Sequence, residues 1–267
     1  MVNLTEALPR PGSVVRFADT GGPGRAVVLS HGAGVDHTMF DAQLPALRQA
    51  GYRVIAWDLR GHGASTLAAG TGFTADDALD DLATLLDHLR LDRPVLVGHS
   101  LGGNLSQALV RRDPGRAGGL VVIDSAWNAG PLGGLDRLAL RLAAPMLAAI
   151  PASRLPGLMA RASAVRPAVV ARAEARFARM PKDRFLDVWR ATAALVDPQP
   201  GYRTPVPLGL VRGADDRTGN IATAMPRWAE AEGIYEHVIA DAGHIVTLDA
   251  PDAVSRTMCP ASAMTCS

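Results

Sequence analysis

Seven short apolar runs rich in β-branched residues recur along the chain, and segments with a helical spacing of leucines lie between several of them. Several runs lack polar alternation, which is typical of strands buried on both faces of a mostly parallel sheet. The alternation of strands and helices predicts an α/β fold with a doubly wound sheet. The seven predicted strands cover residues 14–17, 26–30, 53–57, 94–98, 120–123, 207–212 and 235–239.

One long interval breaks this alternation. From residue 127 to about residue 204 no convincing strand occurs, and prolines punctuate a segment rich in Ala, Leu and Arg that favours three or four short helices. We therefore predict a helical cap, or lid, at residues 127–204. It is inserted in a core formed by residues 1–126 and 205–267.

The charge balance argues against large charged partners. The 267 residues include 27 Lys and Arg and 26 Asp and Glu, so no strong net field attracts nucleic acid or an anionic membrane. The first residues lack the pattern of a secretory signal, and the most apolar stretch, 138–150, is too short to span a bilayer. A cytoplasmic protein without membrane or nucleic-acid partners is expected.

The two cysteines, Cys259 and Cys266, lie in the last nine residues. A tail this short and polar favours free thiols, and a disulfide-dependent secreted fold is not expected. No cluster of Cys and His suggests a metal, so the sequence predicts neither a metal nor an organic cofactor.

A G-x-S-x-G pattern at residues 98–102 follows the apolar run 95–97 and precedes a predicted helix. In this context a serine stands on a sharp strand-to-helix turn that requires small neighbours, and its side chain projects above the sheet. Ser100 is therefore the candidate nucleophile. The helix that follows helps to stabilise negative charge there.

A serine hydroxyl needs a base, and the base needs an orienting carboxylate. His244 follows the last predicted strand, where a loop can bring its imidazole over the sheet. Three acids end neighbouring strands, and the residues alone do not separate the adjacent pair: Asp124, Asp215 and Asp216. The chain order Ser, Asp, His favours Ser100, one of these acids and His244 as a catalytic triad.

Acyl transfer also needs donors for the oxyanion of a tetrahedral intermediate. The backbone N–H of Leu101 is one predicted donor. The small residues of the turn at 31–34 let a backbone amide approach a substrate, and Ala33 is the second predicted donor.

Four segments resemble the α/β-hydrolase superfamily, specifically its lidded branch of esterases, lactonases, cofactor-free haloperoxidase-like enzymes and C–C bond hydrolases. They are residues 29–32 (LSHG), 58–65 (DLRGHGAS), 98–103 (GHSLGG), and 242–244 (AGH) followed by 249–251 (DAP). The resemblance covers roughly the whole chain except the lid and the extreme C-terminus.

The resemblance implies an α/β-hydrolase fold and favours Asp216 as the acid, because the family acid usually falls three residues after the glycine at position 213. It implies a structural role for Asp58 and Arg60, which fasten loops around the site. Ser100 excludes the mechanisms of those relatives that use an aspartate nucleophile. The family's long C-terminal helix is also expected to start here, but Pro260 stops it.

The predicted activity is hydrolysis of a carboxylic ester or related acyl bond in a small, largely apolar substrate. Lactone opening, C–C cleavage, amide hydrolysis, perhydrolysis and acyl transfer on the same triad stay open, as does a non-catalytic ligand receptor. A homodimer is considered as the oligomeric state. The residues predicted to line the substrate pocket are His31, Gly32, His99, Trp127, Met146 and Trp189.

Overall fold

The computed structural model describes residues 2–258, which form one nine-stranded sheet flanked by helices. The strands are β1 (Glu6–Arg10), β2 (Ser13–Asp19), β3 (Ala26–Ser30), β4 (Arg53–Trp57), β5 (Thr66–Leu67), β6 (Val95–His99), β7 (Gly119–Ile123), β8 (Leu208–Gly213) and β9 (Glu236–Ile239). The α-helices are α1 (Gln43–Gln49), α2 (Ala75–His88), α3 (Leu101–Arg112), α4 (Gly134–Ala149), α5 (Leu155–Ser163), α6 (Pro167–Phe177), α7 (Lys182–Ala194), α8 (Ile221–Glu232), α9 (Val246–Asp249) and α10 (Pro251–Met258).

The strands lie in the order β1-β2-β4-β3-β6-β7-β8-β9, and β5 pairs with β2. Six neighbouring strands are parallel to one another: β4, β3, β6, β7, β8 and β9. Strand β2 is antiparallel to both of its neighbours in this order, β1 and β4. Every residue of β3 and β6 is buried, which explains why these sequences are continuously apolar. The predicted doubly wound α/β fold is confirmed. Two strands were missed, because β1 buries only Leu8 and contains a proline, and β5 has only two residues.

Apolar side chains cover both faces of the sheet. On one face, α2, α3 and α8 contribute Leu82, Leu105 and Trp228 to the core. On the other face, α1 and α10 contribute Leu47 and Val254. Because the two faces are both covered by helices, the polar groups of the central strands are exposed to ligands only at the strand ends.

Four helices, α4 to α7, occupy the interval between β7 and β8. They fall within the predicted cap at 127–204, and its status as a separate domain stays a prediction. Prolines begin two of them, since Pro156 and Pro167 stand in the first turns of α5 and α6. None of the residues of α4 is buried, and Leu135 on this helix is 84% exposed.

The described chain ends with α10, which agrees with the predicted start of a C-terminal helix. The predicted stop at Pro260 and the predicted free thiols of Cys259 and Cys266 lie outside the described residues. Within residues 2–258, none of the helices combines the length and apolar character needed to cross a membrane.

Candidate active site

Four loops meet above the carboxyl edge of the parallel strands. They follow β3 (residues 31–34), β6 (residue 100), β8 (residues 214–216) and β9 (residues 240–244). Because β3, β6, β7, β8 and β9 are neighbours and parallel, side chains that follow them converge at one edge. The sequence-predicted site residues at these positions are therefore brought together by the sheet itself.

Ser100 occupies a sharp turn between β6 and α3. Its backbone angles are φ 51° and ψ −118°, a conformation that L-residues rarely adopt. The turn persists because the surrounding backbone is packed without side chains: a Cβ on Gly98 would lie 2.2 Å from the Gly102 carbonyl oxygen. A Cβ on Gly102 would lie 2.1 Å from the carbonyl oxygen of Ser30. This is the strained, crowded turn that the G-x-S-x-G pattern predicts.

His244 and Asp216 form a buried hydrogen-bonded pair. Nδ1 of His244 donates to Oδ2 of Asp216 at 2.9 Å, and the backbone N–H of Thr218 donates to Oδ1 of Asp216 at 2.8 Å. Burial alone would raise the pKa of Asp216, but the charge and hydrogen bond of His244 outweigh it and lower that pKa to about 2. Nε2 of His244 is thus the ring nitrogen left for another partner.

The structure separates the three candidate acids. Asp215 is exposed, and its backbone N–H donates to the Ala242 carbonyl at 2.9 Å. Asp124 is buried beneath the pair, and its Oδ1 accepts from the backbone N–H of Gly213 at 2.8 Å. Only Asp216, of these three, hydrogen-bonds to the imidazole of His244.

The loop that carries His244 is held from two sides. Nε2 of His99 donates to the backbone carbonyl of His244 at 2.7 Å, and the two rings lie 4.8 Å apart. Oδ2 of Asp249 accepts from the N–H of Gly243 at 2.9 Å and from the N–H of Val165, in the inserted segment, at 3.0 Å. Asp249 therefore ties the histidine loop to the inserted helices.

His31 serves the loop after β3 rather than the pocket. Its Nδ1 donates to the Gly32 carbonyl at 2.8 Å, and its Nε2 accepts from the backbone N–H of Leu59 at 2.9 Å. Both ring nitrogens are thus used, and the side chain is completely buried. Gly32 lies against the turn, because a Cβ there would be 2.6 Å from Nδ1 of His99 and 3.2 Å from Cβ of Ser100.

A largely apolar pocket opens above Ser100 and His244, with a volume of about 40 Å³. The loop after β3 contributes Ala33, and α7 contributes Trp189. The full lining is Ala33, Val35, His99, Ser100, Met159, Ser163, Phe177, Phe185, Trp189, Thr192, Thr218, His244 and Ile245. The candidate nucleophile, Ser100, and the candidate base, His244, thus line the same pocket.

Four of the six predicted pocket residues are absent from this lining: His31, Gly32, Trp127 and Met146. Trp127 stacks on Trp228 with ring centroids 5.9 Å apart and planes 4° from parallel, so it packs on the core. Met146 is 67% exposed on α4. Neither side chain belongs to the pocket lining given above.

Some site residues escaped the sequence analysis. Ser163, Thr192 and Thr218 line the pocket, but small hydroxyl residues in helical or loop segments carry no pattern that distinguishes them. Asp249 had a signal, since it belongs to the DAP segment after the histidine loop, although its contacts with the inserted segment could not be read from it.

Three buried histidines surround the site and are kept neutral. Burial first, and the neighbouring His244 second, lower the pKa of His99 to about 3. Burial and the neighbouring His31 likewise lower the pKa of His62 to about 3, and burial lowers the pKa of His31. Nδ1 of His62 donates to the carbonyl of Arg60 at 3.0 Å, which fixes its ring.

The segment after β4 fastens the surrounding loops, as the resemblance implies. Oδ1 of Asp58 accepts from the backbone N–H and from Nδ1 of His37, both at 2.8 Å, and Oδ2 accepts from the N–H of Ala64 at 2.7 Å. Arg60 is buried against Asp81, with Nε 2.7 Å from Oδ2.

His244 and Asp216 are arranged as a hydrogen-bonded pair and not as two ligands of a metal ion. One atom each of Asp124, Asp216 and His244 lie within 4.8 Å of one another, a spacing that a shared cation would also allow. However, the 2.9 Å contact between Nδ1 of His244 and Asp216 uses that nitrogen as a proton donor, which a metal ligand is not. The predicted absence of a cofactor stays a prediction.

The parallel sheet, the strained serine turn and the histidine loop together define the architecture of the α/β hydrolases. The model of the alpha/beta hydrolase family matches residues 27–257, and the chain belongs to that family. The predicted membership in this superfamily, and the predicted enzyme of α/β-hydrolase type, are thereby confirmed.

Named relatives cover the chain in part. The chain is 41% identical over 103 residues to a non-heme haloperoxidase of Rhodococcus erythropolis, 38% of this chain and 37% of the relative. It is 39% identical over 112 residues to a 2-hydroxy-6-oxononadienedioate/2-hydroxy-6-oxononatrienedioate hydrolase of Burkholderia vietnamiensis, 41% of this chain and 39% of the relative. The chain thus matches about two fifths of the length of these relatives.

A solved structure covers most of the chain. The thermophilic esterase of Thermogutta terrifontis is 26% identical, superposes with a TM-score of 0.73, and covers 94% of this chain and 94% of its own. This likeness extends well beyond the two fifths of the chain that match the named relatives.

Substitution of Gly98 by Ala is expected to destabilise the protein, because the added Cβ would meet the backbone of Gly102. We expect the free energy of unfolding, measured by urea denaturation, to fall by at least about 2 kcal/mol. Gly134→Ala is the matched control, since nothing lies within 4 Å of its added Cβ. Equal stabilities of the two variants would contradict this account of the turn.

Stability is expected to fall as the pH decreases from 7.5 to 5.0. The unfolded chain binds a proton at His62 below about pH 6.5, whereas the folded protein binds it only near pH 3, so acid favours unfolding. Protonation of His62 in the unfolded chain lowers the free energy of unfolding by about 2 kcal/mol at pH 5.

The variant His62→Asn keeps a donor for the Arg60 carbonyl and does not titrate. Its free energy of unfolding is expected to lose about 2 kcal/mol less over this interval than that of the wild type. His88→Asn, at an exposed position, is the control. An identical pH dependence of His62→Asn and wild type would refute the neutral buried state of His62.

Proposed function

We propose that this protein is a serine hydrolase that cleaves a carboxylic ester, or a related acyl bond, of a small and largely apolar substrate. The proposal rests on one observation above all: the strained Ser100 turn and the His244–Asp216 pair face one apolar pocket. Family membership supports hydrolase chemistry, and the esterase likeness over 94% of the chain supports the ester bond.

In the proposed reaction, Nε2 of His244 takes the proton of the Ser100 hydroxyl while Oγ attacks the carbonyl carbon of the substrate. Asp216 orients the ring and stabilises the imidazolium that forms. His244 then gives the proton to the leaving alcohol as the C–O bond breaks. Water, deprotonated by the same imidazole, hydrolyses the acyl-enzyme and restores the Ser100 hydroxyl.

The backbone N–H groups of Ala33 and Leu101 are proposed to hold the oxyanion. Leu101 begins α3, so its N–H belongs to the donors that a helix leaves unpaired at its N-terminus. Ala33 lines the pocket beside Ser100. The buried His31 supports this assignment, because its two hydrogen bonds fix the loop that presents Ala33.

The apolar walls of the pocket favour an apolar substrate. The pocket at Ser100 is walled by Met159, Phe177, Phe185 and Trp189, and most of the surface that lines it is apolar. A second cavity of about 230 Å³ lies among α5, α6 and α7 and shares Met159, Phe177 and Phe185 with the first. We propose that the apolar part of the substrate extends into this second cavity, because the pocket beside the serine has only about 40 Å³.

Other reactions on the same triad would use the same groups. The haloperoxidase and the dioate hydrolase among the relatives favour perhydrolysis and C–C cleavage as the next candidates. Both still need an acyl or carbonyl carbon at Ser100, so they share the first step. A substrate panel with product analysis separates these reactions from ester hydrolysis.

Loss of the Ser100 hydroxyl is expected to abolish turnover. We expect Ser100→Ala to lower kcat/KM for p-nitrophenyl acetate by about a thousandfold or more, because the nucleophile is gone. A fluorophosphonate probe, mapped by mass spectrometry, is expected to modify residue 100 in the wild type. Labelling is expected to be lost in His244→Ala.

Ser163→Ala provides the matched control, because Ser163 lines the same pocket. In this variant the probe is expected to remain on Ser100. Labelling of Ser163 in the wild type, or full turnover by Ser100→Ala, would overturn the proposed nucleophile.

Filling the second cavity is expected to shorten the substrates that the enzyme accepts. Ala152 is an exposed residue that lines this cavity and not the pocket at Ser100, so the indole of Ala152→Trp is placed to fill space in the cavity without touching the serine. The kcat/KM ratio of p-nitrophenyl octanoate to p-nitrophenyl acetate is expected to fall about tenfold. Ala171→Trp, at an exposed position of α6, is the control. An unchanged ratio in Ala152→Trp would exclude this cavity as the binding site for the acyl chain of the substrate.

A further inference from the structure

Asp124 is a completely buried acid that the proposed reaction does not use. It follows β7 directly and has a positive φ of 42°, which aspartate tolerates better than most residues. Its Oδ1 accepts from the backbone N–H of Gly213 at 2.8 Å, so the carboxyl group is fixed to the end of β8.

The other oxygen of Asp124 has no donor among the described residues. This atom, Oδ2, is buried and has no hydrogen-bond partner. Atoms of Asp124, Asp216 and His244 lie within 4.8 Å of one another, so a second carboxylate is close by. A buried oxygen without a donor is costly, and two adjacent buried carboxylates that are both ionised repel each other strongly. One proton shared between them removes both costs.

The charges around the pair decide which carboxyl group holds the proton. Asp216 accepts from Nδ1 of His244 and from the N–H of Thr218, so its anion is well stabilised. Asp124 has a single backbone donor, and burial first and the charge of Asp216 second raise its pKa well above the ordinary value. Arg212 of β8 opposes this shift, but its Nε is bound to Glu236 at 2.7 Å.

We propose that Asp124 is a positioning residue, a protonated carboxylic acid whose O–H donates to Asp216 and fixes that carboxylate for His244. The inference rests on the proposed function, because it assigns a role within the same set of catalytic groups. Asp124 itself touches neither the substrate nor Ser100 in this role. It supplies Asp216 with a donor from below, in addition to those from His244 and Thr218.

The decisive variant is Asp124→Asn. An amide has the shape of a protonated carboxyl: its NH2 can donate to Asp216, and its oxygen can accept from Gly213. If Asp124 is neutral, kcat/KM for p-nitrophenyl acetate is expected to remain within about threefold of wild type. The apparent pKa of the acid limb of its pH profile is expected to stay unchanged. If Asp124 is an anion, its loss would lower that apparent pKa by about one unit or more, which would overturn the proposal.

Asp124→Ala tests the hydrogen bond itself. Loss of one bond to a charged group is expected to lower kcat/KM at least about tenfold and to raise the apparent pKa of the acid limb. The raised value follows because Asp216, with one donor fewer, stabilises the imidazolium more strongly. Activity and a pH profile equal to wild type in Asp124→Ala would refute the positioning role.

A readout independent of turnover separates this inference from the proposed function. Infrared difference spectroscopy of folded protein is expected to show the C=O stretch of a protonated carboxyl at neutral pH, and to lose it in Asp124→Asn. Wild-type protein that shows this band but no Ser100-dependent hydrolysis would contradict the proposed function while leaving the protonated Asp124 in place. Absence of the band would refute the inference even if Asp124→Ala did not fold.

Discussion

The close backbone approach between the end of β6 and the start of α3 is the constraint on which the site depends. The main chain passes Gly98, Ser100 and Gly102 so tightly that a Cβ on either glycine would lie within about 2.2 Å of a carbonyl oxygen. Ser100 therefore has no room to relax from its φ of 51°. A strained residue persists only where its surroundings overdetermine it, and here the sheet on one side and the helix on the other do so.

A buried polar network surrounds this turn and sets the protonation states of its own groups. His31, His62 and His99 are buried, and their low pKa values keep them neutral, so each can donate from one nitrogen and accept at the other. Asp216 is held as an anion by its donors, whereas Asp124 beside it lacks a second donor. The charges of these groups are thus set by burial and by their hydrogen-bond partners within the protein.

The parts of this arrangement that local pattern determines were predicted from the sequence. The run before Ser100, the glycines around it and the position of His244 are encoded within a few residues, and the predicted doubly wound sheet follows from the alternation of strands and helices. Asp216 needed more than the residues, because Asp215 is its neighbour and only the spacing known from the family favoured it. Long-range packing was out of reach: nothing local shows that Trp127 stacks on Trp228, or that Met146 is exposed.

Polar contacts fasten the inserted helices to the loops at the site edge, among them Asp249 to Val165 and Arg166, and Arg176 to Asp36. Apolar side chains of these helices also pack in the same core cluster as the strands. Their contribution to the pocket is largely apolar, through Phe177, Phe185 and Trp189, although Ser163 and Thr192 also line it. Changes in these aromatic side chains can therefore alter the shape of the pocket while the strand-end groups keep their hydrogen bonds. Such a division lets one rigid set of strand-end groups accept different substrates as the inserted segment varies.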